Sequence, residues 1–324
     1  MKIKKIRFYQ SLSVLAFCIL AYVSGTRVGG FDYEPYQAMI TYIQSYDSLN
    51  SKVTMSKDPL FGFIVAIVDP STTAEYTKVF LVIALIALFN KLYYIWDVRH
   101  SIAYTSVYII LLAPSLDFAA IRAMLGVMFL TSFLIAYSRG NRKSSILFAL
   151  LAITSHLSMV LPIVFSVVIF SGIYNRYRAI VLSGIFVCSL MLKPLLALVP
   201  NTVTYINTGG TLLSYFPLVF LLISVSIYGT IFKDQSYLLN TLVSLIFCIL
   251  AFCFAINGSV VVVAARYMQV AQVLFLVVIF STKLRLTYQK LFLLMVCFVL
   301  YIIPLIFRNL DLRLWEAMIG SISV

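Results

Sequence analysis

Continuous apolar runs of about twenty residues recur along the chain, at 8–24, 76–96, 101–117, 119–138, 145–172, 179–199, 212–232, 238–256, 260–281 and 287–307. A helix needs roughly 20 such residues to cross about 30 Å of hydrocarbon. Only helices and closed barrels satisfy their backbone groups in that medium. Barrel strands alternate at period two over about ten residues, which these runs do not. Of the 324 residues 62% are hydrophobic and 11% charged, whereas a soluble domain carries roughly 25% charged residues. Soluble, disordered and disulfide-framework classes are therefore excluded. The expected fold is an all-α polytopic membrane protein with about 10–11 transmembrane helices, a single integral domain over 1–324.

The net charge of +13 reads as the positive-inside bias of a membrane protein, and nucleic acid is not an expected partner. With the N-terminus inside and 145–172 crossing twice, inside segments hold 15 of the 24 basic residues: Lys2, Lys4, Lys5, Arg7, Lys91, Arg99, Arg139, Arg142, Lys143, Arg176, Arg178, Lys233, Lys283, Arg285 and Lys290. As one helix, 145–172 would reach about 42 Å. Pro162 and the polar His156-Leu157-Ser158 interrupt it, so a broken segment is expected. The basic N-terminus before the run 8–23 resembles a signal peptide, but the many later spans favour a retained first helix.

A long outer loop, 25–75, follows that helix. It holds six of the eleven acids: Asp32, Glu34, Asp47, Asp58, Asp69 and Glu75. Within it, the apolar 60–68 is too short to span and is expected to be re-entrant or interfacial. A second outer loop at 198–211 carries no charge.

Ionisable residues within apolar runs are costly and usually face a polar cavity or a partner. Arg122, at the outer end of the fourth run, suits either an anion contact or a pair with Asp117. His156 suits a general base or a hydrogen-bonded break. Arg266 has no acid near it in sequence and suits a carboxylate or diphosphate clamp, because guanidinium forks match such oxygens. The segment 25–36 combines three glycines with Arg27, Asp32, Tyr33 and Tyr36, a composition suited to sugars. No metal motif is present, and the five cysteines lie in apolar runs.

Several of these residues form an ordered set. Arg27-Val28-Gly29-Gly30-Phe31-Asp32-Tyr33-Glu34-Pro35-Tyr36 resembles the R-x-x-G-x-D-Y-x-x-Y loop of the EpsG-like, Wzy-type polysaccharide polymerases of bacterial inner membranes. Asp58-Pro59-Leu60-Phe61 resembles that family's E-P-x-F, with Asp for Glu. Ile121-Arg122-Ala123 resembles its I-R-Q, with Ala for Gln. His156-Leu157-Ser158 and Arg266-Tyr267 resemble its H-x-S and late R-Y.

The resemblance implies transfer of a growing glycan from polyprenyl diphosphate to another lipid-linked repeat unit, at the periplasmic face of the inner membrane. The products would be O-antigen (lipopolysaccharide), capsule or exopolysaccharide. Arg122, Arg266 and Arg27 would bind the diphosphate. His156 or Asp32 would take the acceptor proton. Tyr33, Tyr36 and Tyr267 would line the sugar path. The partners implied are the donor and acceptor lipids, the bilayer and a chain-length regulator. No cofactor or metal is required, since the donor is already activated. The competing expectations are a polyprenyl-phosphate-dependent glycosyltransferase, an O-acyltransferase and a lipid-linked oligosaccharide flippase.

Overall fold

The computed structural model describes residues 2–30, 32–192, 194, 211–232, 236–282 and 287–322. Among them every regular element is helical. In chain order they are α1 (Lys2–Thr26), α2 (Tyr33–Gln44), α3 (Leu49–Thr54), α4 (Pro59–Val68), α5 (Tyr76–Ile95), α6 (Ser101–Val107), α7 (Ala113–Leu116), α8 (Ile121–Ser138), α9 (Arg142–Ser155), α10 (Val160–Phe170), α11 (Ile173–Arg176), α12 (Arg178–Leu190), α13 (Leu212–Ile231), α14 (Tyr237–Ile256), α15 (Val261–Ser281), α16 (Tyr288–Asp311) and α17 (Leu314–Ile322). The loop at 198–210 and the basic residues Lys233, Lys283 and Arg285 lie outside the described residues, as does Phe31 of the tyrosine-containing loop.

Seven helices among the described residues are long and apolar enough to cross a membrane, and the polytopic all-α architecture stands. Four further apolar helical stretches are shorter: Pro59–Val68, Ser101–Leu116, Leu157–Phe170 and Arg178–Leu190. Local chemistry shortens two of them. His156 takes an extended backbone, φ −161 and ψ 120, and ends α9, so the run 145–172 is broken where its polar triplet lies. Between α6 and α7 the chain makes a π-turn at Tyr108–Leu112. Pro114 has no N–H to donate to the Ile110 carbonyl, and the Trp315 Nε1–H takes that carbonyl at 2.7 Å. The neighbouring Leu111 carbonyl accepts from Asn309 Nδ2 at 3.0 Å.

The described chain forms two compact units, one of 1–160 with 306–324 and one of 161–305. In the first, α1 packs along α5 and α6, and α8 packs along α9 and α5. Helix α8 is buried nearly all round, as expected of a helix apolar on every face. Lys91, grouped by sequence with the inner basic residues, instead lies within this core, 2% exposed. It pairs with Asp117, which also accepts from the Tyr108 hydroxyl at 2.7 Å. Tyr94 and Tyr104 share a hydroxyl contact of 2.8 Å beside them. Desolvating two charges costs several kcal/mol each; here each has the other, Asp117 also has the Tyr108 hydroxyl, and the Lys91 ammonium lies 4.7 Å from the Tyr108 ring centroid.

In the second unit α14 packs against α12, α13 and α15. Its buried polar groups pair internally: Tyr228 with the Thr282 hydroxyl at 2.6 Å, Tyr301 with the Gln272 carbonyl at 3.0 Å, and Asn257 with Ser214 at 2.8 Å.

Candidate functional site

The segment 25–75 builds the site. Gly29 and Gly30 adopt φ of 131° and 113°, a region open to glycine alone among unstrained residues, and the chain turns there from α1 into α2. Asp58 caps α4 in an extended conformation with Pro59 in the first turn, a position where proline's missing N–H costs nothing. At ten residues α4 is about 15 Å long, too short to cross. It packs against α2, α3, α5 and α9 and carries Asp58 to the start of α8 and to the break after α9.

There Asp58 meets two cationic or basic groups. Its Oδ2 is paired with Arg122 Nη1, and its Oδ1 faces His156 Nδ1 at 3.3 Å and the Leu157 N–H at 3.4 Å. The carboxylate is 4% exposed, whereas the Arg122 and His156 side chains keep 23% and 24%. The acid is thus enclosed while the arginine and imidazole retain an open side. Burial alone would raise the Asp58 carboxyl pKa. The His156 hydrogen bond, the Arg122 charge and the Leu157 N–H outweigh it and hold the group below its ordinary value.

Aromatic rings wall the guanidinium. Arg122 lies 5.5 Å from the Tyr36 centroid and 5.8 Å from that of Phe61. Tyr36 in turn contacts Phe80 at 6.1 Å, as Tyr33 does at 5.5 Å. Both tyrosines are buried, and what their rings meet is this wall. Arg27 sits behind it, 1% exposed, with Phe80 at 5.4 Å and Phe118 at 5.7 Å. Its Nη1 donates to the Asp117 carbonyl at 2.9 Å, while its Nε and Nη2 have no hydrogen-bond partner among the described residues. Burial pulls the Arg27 guanidinium down to about 10, against the pull of Tyr36, Asp117, Asp32 and Tyr33, and it stays protonated near neutral pH. Asp32 is half-buried at the start of α2.

The first unit therefore brings together Arg122, His156 and Tyr36 around Asp58, with Arg27, Tyr33 and Asp32 in the adjoining loop. Arg122 pairs with Asp58 and not with Asp117, which Lys91 and Tyr108 occupy. Asp58 is the central residue that residue-by-residue reading did not single out. The available signal was an acid placed directly before the proline that opens a short apolar helix. Arg266 belongs to the second unit, half-buried on α15, and among the described residues no carboxylate pairs with it. Its neighbour Tyr267 is buried against Phe252 at 4.7 Å. No group of three His, Cys, Asp or Glu side chains among the described residues is placed to hold a metal ion.

Gly126, one turn along α8 from Arg122, sets the position of the break. A Cβ there would fall 2.8 Å from Met159 Cγ and 3.3 Å from His156 Cβ. Gly126→Val is therefore expected to displace His156 from Asp58. The measurement is the thermal midpoint of the purified protein, which should fall, and an unchanged midpoint would show that the break has room for the larger side chain.

A multi-pass helical membrane protein in which a buried carboxylate joins an imidazole to a guanidinium at the foot of a long loop is the class defined so far. The chain belongs to the EpsG family, whose model matches residues 11–312. No curated protein and no solved structure gives a significant match. Family membership supports a polysaccharide-polymerase-like, glycosyltransferase role in general terms.

Proposed function

We propose that this protein polymerises oligosaccharide repeat units carried on polyprenyl diphosphate, at the periplasmic face of a bacterial inner membrane. The observation that carries the reading is the Asp58–His156–Arg122 cluster within an EpsG-family chain. A hydroxyl of the acceptor sugar attacks the anomeric carbon of the donor glycan. The new C–O bond forms as the bond to the diphosphate oxygen breaks, and polyprenyl diphosphate leaves with the bonding pair. With His156 Nδ1–H donating to Asp58, Nε2 is left as an acceptor for the hydroxyl proton. The same carboxylate orients the ring and stabilises the imidazolium that forms, as in other carboxylate–histidine pairs. Arg122 is placed to neutralise charge developing on the leaving diphosphate, and its rings hold the guanidinium plane. In this reading the base is His156 instead of Asp32, because His156 keeps both an orienting acid and an open side, and Arg27, buried behind the aromatic wall, acts by positioning. Tyr33, Tyr36 and Tyr267 act by positioning, through the packing described above.

The test is a gel of surface glycan from cells lacking the gene, complemented with wild type or Arg266→Ala. Accumulation of one repeat unit without the long-chain ladder in the null strain supports polymerisation. Disappearance of the single unit as well would mean that export or an earlier transfer had failed, and would overturn the reading. Arg266→Ala is expected to shorten or abolish the ladder, and an intact ladder would show that Arg266 is not required.

A further inference from the structure

The second unit contains a cavity of about 690 Å³ that the proposed reaction does not use. Its wall includes Tyr174, Arg178, Ser226, Tyr228, Ser244 and Phe247. These come from α11 and the start of α12, from the last turns of α13 and from the first half of α14. Arg266 follows the far end of α14, so the cavity and Arg266 lie towards opposite ends of that helix.

Three observations converge on an anion. Residues 161–305 contain eight Lys and Arg and one acid, Asp234, which lies outside the described residues. Among the described residues no carboxylate pairs with Arg178, whose guanidinium is instead held 4.7 Å from the Phe247 ring and 5.8 Å from the Tyr174 ring. The buried Tyr174 hydroxyl stands beside Arg178 and Ser244. A fixed guanidinium beside serine and tyrosine hydroxyls matches a phosphate oxygen set.

The surroundings favour a lipid as the source. The outer side of α12 is apolar and exposed, with Ile180 70% and Val187 55% accessible, and acyl chains would lie along it. The charge bias puts Arg176 and Arg178 on the inner side, and basic pockets between helices there suit anionic headgroups. We propose that this cavity binds the phosphate-bearing headgroup of an anionic lipid, with the phosphate on Arg178. The proposal stands independently of the polymerase reading.

The full chain would be reconstituted in phosphatidylcholine nanodiscs doped with phosphatidylglycerol, and the retained lipid counted by native mass spectrometry. Wild type is expected to prefer phosphatidylglycerol, and Arg178→Gln to lose about five- to tenfold of that preference. Arg178 is exposed, so this variant leaves the core untouched. Arg176→Gln is the control, because Arg176 stacks on Tyr177 at 5.3 Å and does not line the cavity. Equal losses in both variants, or none in Arg178→Gln, would overturn the site. Arg178-dependent binding of inorganic phosphate by delipidated protein, as tight as that of the lipid, would assign it to a soluble phosphate and overturn the lipid assignment.

Discussion

On the proposed reaction, Asp58→Asn is expected to abolish long-chain glycan while the protein still reaches the membrane. The substitution keeps the shape of the side chain but removes the charge that Arg122 and His156 share. Arg122 then loses its counter-ion, and the imidazolium formed during proton transfer loses its stabilising carboxylate. General acid–base assistance contributes about 10²–10⁴ in rate, so product per cell should fall by about 100-fold or more. His156→Ala should match it, and the double variant should lose little more, because residues acting as one unit are not additive. Arg122→Lys keeps the charge but loses the planar fork and its stacking on Tyr36 and Phe61, and should stay impaired. Asp58→Glu, which restores the E-P-x-F form that this element resembles, should retain part of the activity. A full ladder from Asp58→Asn would remove the cluster from the chemistry.

The sign of the pH dependence follows from the same contacts. The Asp58 carboxyl is held below its ordinary value, so its ionic contribution to stability is present above the unfolded pKa of about 3.9 and is lost as pH falls through the lower folded value. The thermal-stability deficit of Asp58→Asn relative to wild type should therefore shrink as pH falls below about 4.

The second large effect concerns folding instead of chemistry. Lys91→Met strands Asp117, which is 3% exposed, without its cation. Breaking a buried pair by removing one partner costs about 3–5 kcal/mol, and little folded protein should survive detergent extraction. Asp117→Leu strands Lys91 and the Tyr108 hydroxyl in the same way. Lys91→Met combined with Asp117→Leu removes both charges and should recover much of the loss. Fluorescence-detected size-exclusion profiles of the single and double variants check this. A double variant no better than the sum of the singles would show that the pair is not the source of the instability.

These two networks also mark where sequence reasoning stops. The apolar runs, the break at His156, the short helix opened by Pro59 and the glycine turn before α2 are all written locally. Transfer from water to lipid depends on composition over about twenty residues, and a proline or a polar triplet acts on its own turn, so each is legible one segment at a time. The shortening of the span at 101–116 is partly so, through Pro114. The partner choices are not local. Asp58 reaches Arg122 across 64 positions and His156 across 98, and Lys91 takes Asp117 across 26. Hydrophobic periodicity specifies which side of a helix is buried, not which charge on another element will meet it. Arg122 had Asp117 five residues away in sequence and pairs with Asp58 instead, because α4 dips to the start of α8 while Lys91 and Tyr108 fill the space at Asp117. The sequence by itself determined that the chain spans a membrane and which residues were too polar to lie there unpaired. Tertiary packing alone decided which of them are paired for folding and which keep an open side for chemistry, since desolvated charges must find counter-charges wherever the fold delivers them.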